Sequence, residues 1–465
     1  MTLKNDSAKI KLQKQVTQIL LGLGVVQMSS NNLLPTSPYK GTRDFYPDEM
    51  RFRNWFYSKL KMVAETFSFE EYDGPMLESF ELFASKSGEE IAHEQTYNFT
   101  DKGGRRLAIR PEMTPTVARM VAGKLEQLHM PLRWYSIPNL LRYERPQKGR
   151  LREHWQFNAD IFGVSNIKAD LEIIHLSIEM LKVFKADQSM FKVKINNRRF
   201  FNDILTTVLE IPEERITAIS KIIDKKNKIP EDDYKNSMSD LGVIDEKLEL
   251  LGKIFAASWD NLFDIVDIKS QGTNELKELF TLIKDIGLEE YCEFDFSVIR
   301  GFDYYTGTVF EVYDTSKENR RALFGGGRYD DLIGLFKKNS TVAGTGFGFG
   351  DVTLKDFLET HNLIPKNIQD TNVVLITTFA EVNHKEYIYI SNNLRKNGIS
   401  SCIYLNENHK LKKQLDFANK KGYPIVLIAG ESEIESNSIT IKNMKEKDEQ
   451  TVSINDYVKI IKDML

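Results

Sequence analysis

Residues 344–350 have the sequence Gly-Thr-Gly-Phe-Gly-Phe-Gly, with a glycine at every second position. Alternate residues of a β-strand face opposite sides, so the four glycines share one face and Thr345, Phe347 and Phe349 share the other. The glycine face predicts a bare surface on which a ligand can lie against the backbone, and the other face is typical of a core. A flexible glycine loop is the ordinary alternative, but it does not explain the strict period of two.

The segment that follows this strand favours phosphate binding. Residues 351–360 have a helical pattern, so a helix N-terminus is expected beside the glycine face, and helix N-termini attract anions. The glycine spacing differs from the dinucleotide-binding fingerprint and from the P-loop, and no Gly-Lys-Ser or Gly-Lys-Thr sequence occurs. We therefore expect a phosphate site at the end of a strand.

A second alternating strand is predicted from His154 to Phe162. Its apolar side chains share one face, and three polar side chains, here called the polar row, share the other: Gln156, Asn158 and Asp160. Two amides and a carboxylate above a large apolar face predict a polar surface beneath a ligand. A sheet surface that faces solvent would have the same pattern, so the alternation alone leaves both interpretations open.

The residues before this strand form a basic segment. Residues 142–152 contain five cations around Pro146 and Gly149, between two strand-like runs. This arrangement predicts a long β-hairpin with a basic tip. Arginines are suited to bidentate phosphate contacts, so the tip could hold a nucleotide, an RNA end or both. A solvated charged hairpin is the alternative.

Two further stretches place ligand-binding side chains in turns. In residues 108–115, Ala-Ile-Arg-Pro-Glu-Met-Thr-Pro, Thr114 is a predicted N-cap with proline at the first helical position, which fixes Glu112 in a short turn. A fixed carboxylate suits an ammonium group, although a solvated loop glutamate is equally compatible.

Residues 300–307 place an arginine before Tyr304 and Tyr305, and three glycines precede Arg328 and Tyr329. Paired tyrosines could recognise a flat polar ring.

Length and composition exclude several classes of protein. The chain has 465 residues, 41% hydrophobic and 28% charged, which fits two to four globular domains. No run approaches the roughly 18 apolar residues of a membrane span. Cys292 and Cys402 cannot build a disulfide framework, and seven scattered histidines make a structural zinc site improbable. A net charge of −4 excludes a basic nucleic-acid-coating protein, so any nucleic-acid contact is expected from local patches. A cytoplasmic location is expected.

The pattern along the chain predicts five segments. Residues 1–37 are expected to be a poorly ordered extension, and Met28 is a candidate start. A first globular domain is expected over 38–195 and 291–363, interrupted by a helical insertion at 196–290 where Leu and Ile recur at helical spacing. Residues 364–370 are a predicted linker. Alternating strands and helices over 371–465 predict a small α/β domain with a largely parallel sheet.

These motifs together resemble the histidyl-tRNA synthetase family, within the class II aminoacyl-tRNA synthetases, over about residues 38–465. Residues 52–75 resemble motif 1, the dimer element of the family, and residues 141–162 resemble motif 2. The stretches at 300–305 and 325–330 resemble the two histidine-specific signatures, and the alternating glycines resemble motif 3. The resemblance implies an α+β catalytic domain built on an antiparallel sheet, with a helical insertion and a C-terminal α/β anticodon-binding-like domain.

The resemblance also implies roles for individual residues. The catalytic pair, which contacts the α-phosphate from two sides, would be Arg142 and Arg300. The residues that hold histidine would be Glu112, Gln156 and Asp160 at the α-ammonium, Thr114 near the carboxylate, and Tyr305 with Tyr329 at the imidazole. The residues that contact ATP would be Arg142, Arg150, Arg300, Gly346, Gly348 and Gly350. Those that meet the acceptor end of the tRNA would be Arg145 and Gln147.

The implied reaction is activation of histidine by ATP, with Mg²⁺ on the departing pyrophosphate, followed by transfer of histidine to tRNA(His). No metal ligand among the protein side chains is assigned. A homodimer is implied by motif 1, and no membrane association is expected.

Two positions depart from the family pattern. Motif 3 usually ends in an arginine that stacks on adenine, but that position holds Thr353, and no arginine occurs between Arg328 and Arg395. Asp160 stands where many members have glutamate. The absent arginine keeps open a catalytically silent relative that binds histidine or tRNA and regulates another enzyme. A class II synthetase for proline, threonine or glycine is a third possibility.

Overall fold

The structure is a computed structural model that describes residues 33–84, 94–223, 226, 229–299, 304–338, 340–369 and 371–465. The chain divides into two units, residues 1–44 and residues 45–465. Within the first unit, the backbone N–H of Thr42 donates to the Tyr39 carbonyl over 2.9 Å, which closes a turn. Most of the predicted extension, including Met28, lies outside the described residues, as does Arg300.

The second unit contains seventeen strands among the described residues. They are β1 (Glu70–Glu71), β2 (Leu77–Ser79), β3 (Asn98–Thr100), β4 (Arg106–Ile109), β5 (Leu132–Ser136), β6 (Asn139–Leu141), β7 (Glu153–Phe162), β8 (Phe191–Asn197), β9 (Cys292–Phe294), β10 (Thr308–Asp314), β11 (Ala322–Tyr329), β12 (Gly344–Gly350), β13 (Val374–Ile376), β14 (Ser401–Ile403), β15 (Ile425–Ile428), β16 (Ser438–Asn443) and β17 (Glu449–Ser453).

The α-helices described in the same unit are α1 (Pro47–Thr66), α2 (Phe80–Ala84), α3 (Thr114–Gly123), α4 (Ile167–Lys182), α5 (Arg198–Asp203), α6 (Glu213–Ile223), α7 (Glu231–Asp240), α8 (Asp245–Ala256), α9 (Leu262–Ile265), α10 (Gln271–Asp285), α11 (Asp351–Thr360), α12 (His384–Lys396), α13 (Leu411–Lys421), α14 (Glu431–Glu435) and α15 (Tyr457–Met464). A π-helical turn, Ile204–Val208, continues α5.

A nine-stranded sheet is the largest sheet among the described residues. Its order is β1-β5-β7-β12-β11-β10-β8-β9, with β6 paired to the start of β7. The pairs from β5 to β8 are antiparallel, which confirms the predicted sheet type. The edge strands β1 and β9 pair in parallel, so the sheet as a whole is mixed. A separate antiparallel sheet of order β2-β4-β3 leads into α3.

One face of the large sheet is covered by α1 and α4. Proline at the first helical positions and Asp48 with Glu49 in the first turn favour the start of α1. Its buried residues Phe56, Leu60 and Val63 recur at intervals of three and four, which places them on one side of the helix. Helix α4 begins after Asn166, whose side chain accepts the Lys168 N–H over 3.1 Å. These helices bury the aromatic face of β12.

The helices between β8 and β9 continue the same core. The predicted helical character of 196–290 is present, although β8 extends to Asn197 and α5 begins at Arg198. Buried residues of α5 and α10, including Phe200 and Leu276, belong to one hydrophobic cluster with Val193 of β8. The helical segment therefore packs on the sheet through a continuous apolar core.

The C-terminal region has its own five-stranded sheet, of order β14-β13-β15-β16-β17. Strands β14, β13 and β15 are parallel, as the alternation of strands and helices predicts, while β16 and β17 add an antiparallel extension. Its hydrophobic cluster, which includes Ile376, Leu394 and Ile439, is distinct from the main one. No helix in the part of the chain that the structure describes has the length and apolarity that a membrane crossing requires.

Close packing of α10 on α5 gives a test of the fold. A Cβ atom at Gly272 would lie 2.2 Å from the backbone nitrogen of Phe200, whereas one at Gly252 in α8 would meet nothing within 4 Å. Alanine raises helix propensity at both sites by up to about 1 kcal/mol. We expect Gly252→Ala to preserve or raise the melting temperature. We expect Gly272→Ala to lower stability by about 1–3 kcal/mol or more, since backbone atoms must move. Equal melting temperatures for the two variants would contradict this packing.

Candidate active site

The polar row of β7 lies directly beside the glycine face of β12. Asp160 pairs in register with Gly346, Asn158 with Gly348, and Gln156 with Gly350. The intervening residues Phe157, Ala159 and Ile161 are buried in the main core, as the alternation predicts. The sheet therefore presents polar groups on one face and an aromatic core on the other.

The glycines make room for neighbouring side chains. A Cβ atom at Gly346 would lie 2.2 Å from Asp160 Oδ1, and one at Gly348 would lie 2.7 Å from Gln156 Cδ. The bare surface expected at these two positions is therefore covered by the polar row. Gly350 is more open, since its nearest such neighbour is Thr353 Oγ1 at 3.7 Å. This difference arises because side chains of β7 lean over the strand next to them, which alternation within one strand does not reveal.

Two further glycines accommodate the tyrosines. A Cβ atom at Gly327 would lie 3.0 Å from the Tyr305 ring, and one at Gly344 would lie 2.4 Å from the Tyr329 ring. The centroids of Tyr305 and Tyr329 are 6.5 Å apart, and Tyr304 lies 5.1 Å from Tyr305 and 5.7 Å from Tyr329. The two predicted tyrosine stretches thus meet in one cluster beside Asp160.

Asp160 is a buried carboxyl group, 2% exposed. Tyr329 donates a hydrogen bond to its Oδ1, and its Oδ2 has no hydrogen-bond partner among the described residues. Burial raises the pKa of Asp160 to about 7, although the hydrogen bond from Tyr329 opposes the shift. A half-protonated carboxyl with one open oxygen is suited to receive a donor N–H from a ligand.

Glu112 is held in the turn before α3. It is buried, and its Oε2 accepts the hydroxyl of Tyr304 over 2.9 Å. Thr114 is the first residue of α3, so Met113 occupies the N-cap position that the sequence assigned to Thr114. Thr114 also shares a hydrogen bond with Tyr304, which brings it into the same site.

Arg110 holds the turn that contains Glu112 through hydrogen bonds to distant carbonyl groups. Its Nη1 donates to the Gly74 carbonyl over 2.6 Å, and its Nε donates to the Asn139 carbonyl over 3.1 Å. Arg110 is 4% exposed, so these contacts fix a buried group. The sequence analysis assigned Arg110 no role, because its partners lie about thirty or more residues away in the chain.

The predicted basic hairpin is formed by β6 and β7. Arg142 lies next to the Glu112 turn, and its Nε donates to the Pro111 carbonyl over 2.9 Å. The hairpin tip, residues 144–150, closes through the Gln147 N–H and the Arg150 carbonyl at 2.9 Å. Arg150 Nε lies 2.8 Å from Glu144 Oε2, so Arg150 forms an ion pair within the tip. Arg145 and Gln147 are exposed on it.

Tyr72 also lies in the site, although it was not predicted from the sequence. Its ring belongs to the hydrophobic cluster that contains Tyr304 and Tyr329, and its backbone N–H donates to the Tyr135 carbonyl over 2.8 Å. Burial, followed by the nearby charge of Asp160, raises the pKa of Tyr72. No sequence signal identified it, because it lies in the irregular segment after β1.

Ion pairs hold the tyrosine loops in place. Arg328 Nε donates to both carboxylate oxygens of the buried Asp170. Arg199 Nη1 lies 2.9 Å from Glu275, and its Nη2 lies 2.9 Å from Asp330. The Thr306 hydroxyl donates to Asp330 over 3.0 Å. Arg199 and Glu275 of the helical segment are thus linked through Asp330 to the residues that flank Tyr329 and Tyr305.

Two parts of the chain match known protein families. Residues 41–351 match the family described as histidyl-tRNA synthetase. The chain belongs to the histidyl-tRNA synthetase family. Residues 371–464 match the family described as an anticodon binding domain.

Individual members of the histidyl-tRNA synthetase family match most of the chain. Histidine–tRNA ligase from Leptospira biflexa is 48% identical over 441 residues, which cover 93% of this chain and 98% of that one. Histidine–tRNA ligase from Pyrococcus furiosus is 35% identical over 436 residues, with 92% and 98% covered. The crystal structure of histidyl-tRNA synthetase from Nostoc sp. PCC 7120 has a TM-score of 0.77 at 22% identity, covering 93% and 100%, and so shares the fold. The resemblance inferred from the motifs is confirmed.

The raised pKa of Asp160 has a measurable effect on stability. In the unfolded chain this carboxyl loses its proton near pH 4, but in the folded protein it keeps it up to about pH 7. The folded state therefore loses up to about 1.4 kcal/mol of stability per pH unit as pH rises between these values, and the loss levels off above pH 7.

We expect the free energy of unfolding of Asp160→Asn, relative to the wild type, to rise from pH 5 to pH 7 and then to stay constant. Urea denaturation at four pH values between 5 and 8 measures it. The control Asp260→Asn, at an exposed position, should follow the wild type. A profile for Asp160→Asn that runs parallel to the wild type would contradict the raised pKa.

Proposed function

We propose that this chain is a histidine–tRNA ligase. It activates histidine with ATP to histidyl-adenylate and pyrophosphate, and then transfers histidine to the 3′ end of tRNA(His), releasing AMP. The observation that carries the proposal is the meeting of Glu112, Asp160 and the tyrosine cluster in one buried site. This set of groups suits an amino acid that has both an ammonium group and a polar ring.

Histidine would be held between the two buried carboxyls. Glu112 and Gln156 would hold its α-ammonium, together with Asp160, whose Oδ2 is open to a nitrogen of the substrate. Tyr305 with Tyr329 would recognise the imidazole, and Thr114 would lie near the carboxylate. Because the site is buried, each N–H of the substrate that found no acceptor would cost about 1–3 kcal/mol, which favours histidine over apolar amino acids.

Activation needs no protein base, since the carboxylate of histidine is already ionised at pH 7. One of its oxygens attacks the α-phosphorus of ATP, and the bond from that phosphorus to the bridging oxygen breaks as pyrophosphate leaves. The protein must hold the two groups in line and stabilise the charge on the equatorial oxygens. Arg142 and Arg300 would do this from two sides of the α-phosphate.

Arg150 and the end of the glycine strand would complete the nucleotide site. Gly350 is the open position beside the N-terminus of α11, whereas Gly346 and Gly348 would act mainly by making room for Asp160 and Gln156. Mg²⁺ accompanies ATP in this chemistry. Its ligands would include oxygens of the ATP phosphates. Among the described residues, no group of three or more His, Cys, Asp or Glu could hold a metal ion.

In the second step the terminal ribose hydroxyl of the tRNA attacks the acyl carbon of the adenylate. That hydroxyl loses its proton, and AMP leaves. Arg145 and Gln147, exposed on the hairpin tip, would meet the acceptor end, and residues 371–465 would bind the anticodon.

We also propose a homodimer through the motif 1 region and a cytoplasmic location for this two-cysteine chain. Sedimentation that shows only a monomer would contradict the dimer.

A catalytically silent relative would bind histidine without forming the adenylate. ATP–pyrophosphate exchange separates the two functions, because it requires the activation step alone. We expect exchange with histidine and with none of the other nineteen standard amino acids. Absence of exchange in the wild type, with histidine still bound in calorimetry, would favour the silent relative.

Arg300→Ala tests the proposed chemistry directly. Removal of one guanidinium from the α-phosphate should reduce exchange by about 100-fold or more, as removal of an oxyanion donor does in other enzymes. The melting temperature should stay unchanged. The control Arg395→Ala, in the C-terminal domain, should exchange at the wild-type rate, since this assay contains no tRNA. Near-normal exchange by Arg300→Ala would refute the assignment.

A further inference from the structure

Thr353 has a structural role at the start of α11. Its hydroxyl donates to the Leu323 carbonyl over 2.6 Å and lies 3.2 Å from the Gly350 carbonyl. It therefore links the helix to β11 through its only polar group. A threonine used in this way supplies neither a planar cation nor any other group for a nucleobase.

A different arginine lies beside this position. A Cβ atom built at Gly149, in the hairpin tip, would lie 3.8 Å from Thr353 Cγ2 and 4.0 Å from Arg321 Cδ. Gly149 has a φ of +72°, so the tip turns here in a left-handed conformation that brings its backbone close to both residues. Lys148 Nζ, 3.5 Å from the Glu318 carbonyl, holds the tip against the same segment.

Arg321 is free to meet a ligand. It is exposed, and it forms no ion pair or side-chain hydrogen bond with any residue that the structure describes. Other arginines near the site are engaged: Arg142 with Pro111, Arg150 with Glu144, and Arg328 with Asp170. The guanidinium of Arg321, unlike those of these three arginines, is available to a ligand.

Its place along the sheet matches the far end of the substrate. Asp160 pairs with Gly346 and Gln156 with Gly350, so these two positions are about 13 Å apart along β12. In the pairing of β11 with β12, Gly327 lies opposite Gly346 and Phe324 opposite Phe349, so Arg321 lies past the end of the pairing that is farther from Asp160. If histidine lies over Asp160 and the phosphates lie near Gly350, the base of ATP falls at Arg321.

We propose that Arg321, the residue immediately before β11, supplies the guanidinium that holds the adenine ring, which Thr353 cannot do. The inference rests on the proposed function and deepens it by assigning a nucleobase-positioning residue. A planar cation is attracted to the face of an aromatic ring. The hairpin tip at Gly149 borders the same space, since a Cβ atom there would also lie 3.8 Å from Asp356 Oδ2.

The test measures KM separately for ATP and for histidine in pyrophosphate exchange. We expect Arg321→Ala to raise KM for ATP about tenfold. KM for histidine and the melting temperature should change little. The matched control is Arg320→Ala, which removes the exposed arginine next to it and should leave both KM values unchanged. Arg321→Lys, which keeps the charge but not the planar group, should recover only part of the loss.

A rescue experiment makes the assignment specific. Thr353→Arg added to Arg321→Ala returns a guanidinium to the same space, so KM for ATP should fall again. If Arg321→Ala behaves like Arg320→Ala, or if Arg321→Lys is fully active, the proposed stacking is wrong. Exchange by the wild type separates the two hypotheses. A wild-type protein that shows no histidine-dependent exchange refutes the proposed function. If the wild type does exchange and Arg321→Ala leaves KM for ATP unaltered, only this inference is refuted.

Discussion

The site depends on the space above four glycines. The sheet must carry a buried polar layer on one face and an aromatic core on the other, within strands that are only about 4.8 Å apart. A single methyl group at Gly346 would lie 2.2 Å from Asp160 Oδ1, and one at Gly344 would lie 2.4 Å from the ring of Tyr329. The glycines of β12 therefore leave the space that Asp160 of β7 and Tyr329 of β11 occupy. The same strand keeps Phe347 and Phe349 in the core, so one alternating sequence serves both packing and chemistry.

Buried polar groups at this depth need partners, and the structure supplies them from distant parts of the chain. Arg328 and Asp170 are 3% and 1% exposed and form an ion pair between β11 and α4. Breaking such a pair leaves an uncompensated buried charge, which is strongly unfavourable. Arg199 extends the network to Glu275 of the helical segment. The tyrosine cluster is consequently fixed by helices that contribute no side chain to the polar row.

Alternation within single strands was sufficient to predict the two faces of β7 and of β12, and the charges around Pro146 and Gly149 predicted the basic hairpin. The antiparallel sheet and the roles of Gln156, Asp160, Tyr305 and Tyr329 were implied by the resemblance to the family, and the structure brings these residues together with Glu112. Contacts between segments far apart in sequence could not be predicted in this way. The bond from Tyr304 to Glu112 joins residues 192 positions apart, and Tyr72 enters the cluster from an irregular segment. The parallel edge strands β1 and β9 likewise depend on how the chain returns to the sheet. The covering of Gly346 and Gly348 by β7 depends on register between strands, which a single strand does not contain.

The pairing of β7 has a consequence for how such a protein can change over evolutionary time. Strand β7 is clamped by β12 along Gln156–Phe162 and by β5 along its second half, so its register does not rely on the turn that precedes it. A shift of one residue would turn Asp160 into the core and Phe157 or Ile161 into the site. A change in the length of the tip, residues 144–150, would alter the Gln147–Arg150 pairing but leave the pairing of β7 with β5 and β12 in place. Over evolutionary time the tip can therefore change without moving Asp160 and Gln156, so contacts made by the tip and contacts made by the polar row can evolve separately.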